Sequence, residues 1–171
     1  MKYILSYFFY LVHKEHNFNL LNKVKKPFLI SLCTFLSVLV ITRVGFYSNV
    51  TLLIPPIAAS CVIIFTSPHS DFARTKNILL GHVISSAIAI SILHLLGNTA
   101  PSYAIALSLS IFLMLITDTL HPPAGATAIL IIATNAKWYF IFFPVSIGAV
   151  LLCGISIGYR QLHKFIKLQN K

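Results

Sequence analysis

The chain has 171 residues, of which 57% are hydrophobic and 9% are charged, and its mean hydropathy is +0.87. A soluble domain carries about 25% charged residues, so this composition excludes a soluble fold and predicts an integral membrane protein. The net charge of +10 is also found in nucleic-acid-binding proteins, but here the positive residues gather before the first apolar run and after the last one. This positive-inside pattern predicts a plasma (inner) membrane protein with both termini in the cytoplasm. Anionic lipid, and no nucleic acid, is the expected partner of the basic segments.

Residues 1–26 are predicted to form a cytoplasmic N-terminal segment. An apolar stretch at residues 3–12 follows Lys2 as in a signal peptide, but no cleavage site of small residues comes after it. We expect an interfacial helix there instead. Residues 161–171 are predicted to be a basic cytoplasmic tail.

Between these ends the sequence predicts an all-α transmembrane domain over residues 27–160. Three apolar runs, at 27–46, 78–96 and 139–159, reach or nearly reach the length of about 20 residues that crosses the hydrocarbon core. A fourth run at 103–117 is shorter, but local thinning of the bilayer accommodates a short helix. We therefore expect four clear transmembrane helices.

Two further apolar segments are short, and a Pro-Pro pair opens each of them. Shifting residues 54–67 by 67 positions places them over residues 121–134 without a gap, and the match continues from Gly81 to Gly148. The preceding helices match only with another offset, which pairs residues 40–42 with residues 115–117 and requires connecting loops of different length. The pattern predicts an internal duplication, with repeat 1 at about 27–96 and repeat 2 at about 100–160.

The number of membrane crossings in each half decides the relation between the repeats. If the short segments cross, Arg74 and Lys76 are cytoplasmic and only Lys137 lies on the wrong side; if they are re-entrant, all three lie outside. Charge therefore favours six crossing segments in two inverted halves over four spans with two re-entrant hairpins. In inverted halves the two Pro-Pro pairs approach the midplane from opposite faces, as the broken helices of transporters do.

Proline lacks an amide hydrogen and suits the first turn of a helix, so each Pro-Pro pair is predicted to begin one. The amides of residues 124–127, and those of residues 57–60 in the other half, would then be free to bind a small anion at the positive end of a helix. The alternative is that Gly125 and its alanine neighbours only allow close helix packing.

Ionisable residues near membrane depth are candidates for function because their burial is costly. We expect Asp118 to accept a hydrogen bond from one ring nitrogen of His121 and to orient the imidazole, unless Asp118 is only an interfacial cap in water. Gly81, His82 and two serines form a polar stripe that should face protein.

An enzyme is not expected, because the chain has three carboxylates, Glu15, Asp71 and Asp118, and no recognisable nucleophile motif. The histidines lack the spacing of a metal site. We expect neither a metal nor a cofactor.

The segment Thr117-Asp-Thr-Leu-His-Pro-Pro-Ala-Gly-Ala-Thr-Ala128 is similar to the motif that gives the HPP family of integral membrane proteins its name. A second resemblance is carried by Lys76-Asn77, Gly81-His82 and Ser86-Ala87. The resemblance implies four spanning helices and, as in plant members of the family, nitrite transport. The segment before Asn77 lacks the proline expected beside its basic residue.

The sequence thus predicts a small permease or channel for a small anion, nitrite or a similar oxyanion first, working as a homo-oligomer. One alternative is a membrane scaffold or sensor that transports nothing; another is a proton or cation pathway through Asp118 and His121. In a transporter these two residues and His82 should converge on one cavity reachable by water. The predicted substrate-binding residues are His121, Pro122, Pro123, Gly125 and Thr127, with Asp118 orienting, Pro55, Pro56 and Ser60 opposite, and Asn77, Gly81 and His82 lining.

Overall fold

The computed structural model describes the backbone of residues 20–169 and the side chains of residues 24–161. The predicted interfacial helix at residues 3–12 lies outside the described residues, as do the side chains of the predicted tail beyond residue 161. The chain divides into two compact units, residues 1–32 and residues 33–171. The described part of the first unit, residues 20–32, is helical.

Helices make up the fold, with no strand among the described residues, as predicted. In chain order they are α1 (Leu20–Tyr47), α2 (Pro55–Thr66), a 3-10 turn (Asp71–Ala73), α3 (Thr75–Leu96), α4 (Ala100–Ile116), α5 (Pro122–Ala133), a π-helical stretch (Ile141–Ser146) and α6 (Ile147–Gln169).

Three helical segments are long and apolar enough to cross a membrane: Val24–Tyr47, Thr75–Leu96 and Ile141–Gln161. The prediction of four clear spans is confirmed for these three only. Helix α4, the predicted fourth, has 17 residues and is therefore roughly 25 Å long. Helices α2 and α5 have 12 residues each and are roughly 18 Å long.

Each Pro-Pro pair begins a helix, as predicted. Ile54 and His121 are the N-cap residues, and both are extended, with φ/ψ of −95°/154° and −135°/101°. A residue before proline is driven out of the helical region by contact with the proline ring, so the position of each pair fixes where α2 and α5 start.

The bundle has two ends, which the contacts of α6 identify. A Cβ on Gly148 would lie 3.0 Å from the Leu52 carbonyl, whereas Arg160 donates to the Ala73 carbonyl. Twelve helical residues, roughly 18 Å, separate these two contacts. We call the two regions the Leu52 end and the Ala73 end.

Both short helices run from one end to the other and neither turns back. Helix α2 follows Leu52 and leads to the 3-10 turn at the Ala73 end. Helix α5 begins beside that turn, where His121 donates to the Phe72 carbonyl, and Thr134 at its other end lines a cleft together with Thr51 and Pro55. The two helices therefore run in opposite directions.

The offset of 67 holds for the short helices, since α2 and α5 have equal length and start at positions 55 and 122. The ends of the preceding helices do not follow the offset that pairs residues 40–42 with residues 115–117. Helix α1 continues five residues past Thr42, and the left-handed residues that follow α1 and α4 are Asn49 (φ 54°) and Asp118 (φ 50°). These caps, two residues after each helix end, are the equivalent positions. The connections 48–54 and 117–121 differ in length, as predicted.

Helices α3, α4 and α5 share a core of small and β-branched residues. Small residues let helix backbones approach closely in a membrane. The buried members of this core are Ala89, Ile90, Ala106, Ala128, Ile131, Ile132 and Ala136.

Candidate functional site

Four buried polar side chains meet where α2, α3 and the start of α5 come together. Ser60 Oγ lies 2.7 Å from His121 Nε2 and 3.1 Å from His82 Nε2. Thr127 Oγ1 lies 2.8 Å from His82 Nδ1, and the two imidazole rings are 5.2 Å apart. All four residues were predicted as site residues, and the structure brings them together. Their pairing was not predicted.

The contact between His121 and the Phe72 carbonyl determines where the hydrogen atoms of this cluster lie. His121 Nδ1 lies 2.7 Å from the Phe72 carbonyl oxygen, which can only accept, so Nδ1 carries the hydrogen. The ring is fully buried and has no carboxylate partner among the described contacts, conditions in which an imidazole is neutral. Its Nε2 is then bare and accepts from the Ser60 hydroxyl.

The donors of the other two hydrogen bonds, between Ser60 and His82 and between His82 and Thr127, follow from this assignment. Because Ser60 gives its hydrogen to His121, its oxygen can only accept from His82, so His82 Nε2 carries a hydrogen and His82 Nδ1 accepts from Thr127. The result is one directed chain from Thr127 through His82 and Ser60 to His121 and the Phe72 carbonyl. We call these four side chains the histidine-hydroxyl chain.

The histidine-hydroxyl chain joins the two sequence repeats. Under the offset of 67, Ser60 of α2 and Thr127 of α5 occupy equivalent positions, and each contacts a different nitrogen of His82. His82 thus lies between two equivalent hydroxyls. The offset alone contained this signal, since it aligns two hydroxyl residues one turn after each Pro-Pro pair.

The histidine-hydroxyl chain is closed to water in this conformation. Ser60, His82, His121 and Thr127 are all 0% exposed. The predicted water-reachable cavity is therefore not formed around them. A cleft of about 460 Å³ opens at the Leu52 end and contacts α5 at Leu130 and Thr134, positions that follow Thr127 by about one and two helical turns.

Asp118 does not orient His121, and that prediction is wrong. Both ring nitrogens of His121 are already bonded, to Phe72 and Ser60. Asp118 instead accepts a 2.7 Å hydrogen bond from Lys76, with its side chain 80% exposed. The hydrogen bond and the charge of Lys76 hold the pKa of this carboxyl below its usual value. This is the interfacial cap that was the alternative.

Of the four amides predicted to be free at the start of α5, that of Ala124 is engaged, and those of residues 125–127 stay a prediction. Pro122 and Pro123 have no amide hydrogen, and the Ala124 amide donates to the His121 carbonyl at 2.9 Å. The first amide that could bind an anion there is therefore engaged. Gly125 faces α4, where an added Cβ would lie 3.0 Å from Leu107 Cδ1, as the packing alternative requires.

In each Pro-Pro pair the first proline is exposed and the second is buried. Pro55 and Pro122 lie on the surface, whereas Pro56 and Pro123 are buried. The Pro56 carbonyl is 3.0 Å from Ser60 Oγ. Pro56 therefore contacts the histidine-hydroxyl chain through its backbone.

Asn77 and Gly81 connect α3 to the segments at the Ala73 end. Asn77 Nδ2 donates to the carbonyls of Asp71 and Leu120, at 3.0 and 3.2 Å. A Cβ on Gly81 would lie 3.1 Å from His121 Cβ, so glycine permits the close approach of His121. The predicted protein-facing stripe is confirmed, since Gly81, His82, Ser85 and Ser86 are all buried.

Sequence reasoning missed the role of the 3-10 turn. The carbonyls of its three residues, Asp71, Phe72 and Ala73, accept from three side chains, respectively Asn77, His121 and Arg160. Arg160 directly follows the apolar run at 139–159, and the sequence predicted for the basic residues there only a cytoplasmic location. A hydrogen bond from a side chain to a backbone carbonyl that is distant in sequence cannot be predicted from residue spacing.

A family model described as HPP, transmembrane region, matches residues 21–167. Two transmembrane proteins of Dictyostelium discoideum are similar: one is 36% identical over 133 residues, covering 71% of this chain and 47% of the relative, and the other is 34% identical over 133 residues, covering 71% and 43%. The chain spans about half the length of these curated relatives. No solved structure matches.

The match covers the three long helices, both short helices and all four members of the histidine-hydroxyl chain. Membership is consistent with a transmembrane transporter or channel. The chain belongs to the HPP transmembrane-region family of membrane proteins.

Proposed function

We propose that this protein is a transporter or channel for a small anion, with nitrite or a similar oxyanion as the first candidate. The observation that carries the proposal is the convergence of the two Pro-Pro helices on His82. Central sites built where short helices of two repeats meet are typical of transporters, and an ionisable residue inside a membrane bundle is a functional candidate because its burial is costly. The resemblance of the His121 segment to a family with nitrite-transporting plant members supports the choice of substrate.

Hydroxyls and imidazole N–H groups are the donors that would hold the anion. In the closed conformation they bond to one another, so a substrate must replace the bonds of Ser60 with the two histidines. An oxyanion offers several acceptor atoms and can take both the hydroxyl hydrogen and an N–H hydrogen. At the start of α5 the Ala124 amide is not available to the anion, since it donates to the His121 carbonyl.

We propose two routes by which the anion reaches the histidine-hydroxyl chain. From the Leu52 end, the cleft beside Leu130 and Thr134 leads along α5 toward Thr127. From the Ala73 end, the 3-10 turn covers His121 and must move away. A site that is reached from each end in turn works by alternating access.

The opposite directions of α2 and α5 support inverted repeats with six segments that traverse the bundle. With cytoplasmic termini, the Ala73 end then lies on the cytoplasmic side of the plasma (inner) membrane, where Arg74 and Lys76 satisfy the positive-inside rule. Exposed apolar residues on α4, among them Ile105, Leu109 and Phe112, suit contact with lipid or with another subunit of a homo-oligomer.

We propose no enzymatic activity, cofactor or metal. The two carboxylates in the described part of the chain, Asp71 and Asp118, are exposed and paired with Arg74 and Lys76. Both carboxylates therefore lie away from the histidine-hydroxyl chain.

A membrane scaffold or sensor is the second candidate, and one observation favours it. The members of the histidine-hydroxyl chain satisfy one another and are sealed from water, as expected of polar groups that only stabilise helix packing. Measurement of transport separates the two candidates.

The test is uptake of nitrite, nitrate and chloride by proteoliposomes that contain the purified protein. His121→Ala and Thr127→Val remove members of the chain, and Ser110→Ala is the matched control, because Ser110 is equally buried but bonds only to Ala106 of its own helix. We expect selective uptake by wild type and Ser110→Ala, and at least a tenfold loss in the other two variants. Absence of uptake by correctly folded wild type would contradict the transporter proposal and favour the scaffold or sensor.

A further inference from the structure

The histidine-hydroxyl chain is directed, and each of its four groups can both receive and release a proton. We propose that it transfers protons, so that anion movement is coupled to proton movement. The coupling rests on the function proposed above, whereas the proton pathway itself rests on the geometry of the chain. This replaces the pathway expected from the sequence, since Asp118 takes no part.

A single transfer event can be written out along the chain. A hydronium ion gives a proton to Thr127 Oγ1 and leaves as water, while the hydroxyl hydrogen of Thr127 passes to His82 Nδ1. The His82 Nε2–H bond then breaks as that hydrogen bonds to Ser60 Oγ, and the Ser60 hydrogen passes to His121 Nε2. Each hydroxyl oxygen gains and loses one O–H bond, His82 gains a hydrogen on Nδ1 and loses one from Nε2, and His121 gains one on Nε2 and carries the positive charge.

Ser60 has a second acceptor that serves the charged state. When His121 Nε2 carries a hydrogen it donates to Ser60 Oγ, and the Ser60 hydroxyl is then free to donate to the Pro56 carbonyl, 3.0 Å away. The protonated form of His121 is therefore hydrogen-bonded on both ring nitrogens. Rotation of one hydroxyl switches between the two arrangements.

The Phe72 carbonyl closes the chain at the Ala73 end. An amide carbonyl accepts a hydrogen bond but is too weak a base to take the proton, so the His121 Nδ1 hydrogen stays in place while this bond of 2.7 Å persists. Asn77 and Arg160 hold the neighbouring carbonyls of the same turn. Release of a proton therefore requires the movement that also opens this end to the anion, and this shared requirement couples the two.

Other ionisable groups are present on the elements around the chain, but none bonds to either imidazole among the contacts that the structure describes. His82 and His121 are thus the groups that take up the proton. In the segment from α2 to α5 and on α6, the remaining ionisable groups with described side chains are Cys61, His69, Asp71, Arg74, Lys76, His94, Tyr103, Asp118, Cys153, Tyr159 and Arg160.

The experiment compares wild type, Ser60→Ala, Ser60→Thr and Ser110→Ala in proteoliposomes that hold a pH-sensitive dye. Potassium and valinomycin hold the membrane potential at zero. One arm imposes a gradient of nitrate or nitrite and follows anion uptake and internal pH together, with protein-free vesicles correcting for diffusion of nitrous acid. The other arm imposes a pH gradient alone.

We expect anion uptake with matching internal acidification in wild type and Ser110→Ala. Ser60→Ala should lower the proton movement at least tenfold, and Ser60→Thr, which carries the hydroxyl of its repeat equivalent, should restore it. Proton flux in the second arm that Ser60→Ala abolishes would support the pathway even if neither anion is carried.

Anion uptake without proton movement would overturn the proposal and leave the anion function standing. Ser60→Ala behaving like Ser110→Ala would overturn it as well. Absence of both fluxes in folded wild type would overturn both proposals together.

Discussion

At the scale of single residues, His82 depends on two hydroxyl groups that come from different repeats. It is 0% exposed, so a nitrogen that loses its partner cannot turn to water. An unsatisfied buried group costs about 1–3 kcal/mol. The two hydroxyls therefore stabilise the fold whatever else they do.

Thr127→Val tests this directly, since it keeps the shape of the side chain and removes only the hydroxyl. We expect it to lower the free energy of unfolding by about 1–3 kcal/mol, and Thr127→Ser to recover most of the loss. Thermal or denaturant unfolding in detergent measures both. Equal stability of the valine and serine variants would contradict the hydrogen bond to His82.

Asp118 should behave as a surface residue. Its pKa is lowered chiefly by the hydrogen bond from Lys76 and then by that residue's charge, so its contribution to stability is present above the carboxyl's unfolded pKa and is lost as pH falls through the lowered folded pKa. Because the pair is exposed, the contribution should be small and weakened by salt.

Asp118→Asn keeps a residue that tolerates the positive φ of this position. We expect a slight loss of stability at neutral pH, none below the lowered pKa, and unchanged anion uptake. Melting curves at two pH values and two salt concentrations check the first part. Loss of uptake in this variant would show that Asp118 does take part in transport.

At the scale of elements, residue patterns predicted the parts of the fold that local chemistry determines. The Pro-Pro pairs located the starts of α2 and α5, and the offset of 67 held along both helices. What could not be predicted depends on contacts far along the chain. The partner of His121 is a backbone carbonyl at Phe72, and any residue would supply the same carbonyl, so residue identity carries no trace of it.

The helix preceding each short helix shows the same limit. Residues 40–42 and 115–117 look alike, yet α1 continues to Tyr47 and α4 ends at Ile116. The left-handed residues Asn49 and Asp118 each lie two positions after the end of their helix. Asn and Asp are among the residues that accept this conformation most readily, but among the described residues Asp71, Asn77 and Asn98 do not adopt it.

Packing of α3 against the start of α5 depends on Gly81. A Cβ there would lie 3.1 Å from His121 Cβ and 3.2 Å from the Thr119 carbonyl. We expect Gly81→Ala to cost about 1–3 kcal/mol through overpacking, measured by unfolding in detergent.

Gly154→Ala is the matched control, because nothing lies within 4 Å of its added Cβ and alanine favours a helix over glycine by about 1 kcal/mol. It should be neutral or stabilising. Equal effects of the two substitutions would contradict the close contact between α3 and His121.

At the scale of the whole molecule, the proposed topology has six helical segments that cross between the Leu52 end and the Ala73 end. This arrangement places residue 67 and residue 98 on opposite sides of the membrane. Two re-entrant segments would exchange these positions relative to the termini, so labelling from outside distinguishes the arrangements.

Ser67→Cys and Asn98→Cys, each in a variant without native cysteines, provide the test in intact cells. We expect an impermeant maleimide to label Asn98→Cys from outside, and Ser67→Cys only after the membrane is permeabilised. The reverse pattern would contradict the six-segment topology with a cytoplasmic Ala73 end.

The central claim is that one directed hydrogen-bond chain joins the two repeats inside the bundle, and nitrogen-15 NMR of labelled histidine in bilayers tests it most directly. His82→Gln and His121→Gln assign the signals by removing one ring each. At neutral pH we predict neutral rings of opposite tautomer, with hydrogen on Nε2 of His82 and on Nδ1 of His121. The same tautomer in both rings, or rings that exchange freely with water, would contradict the account.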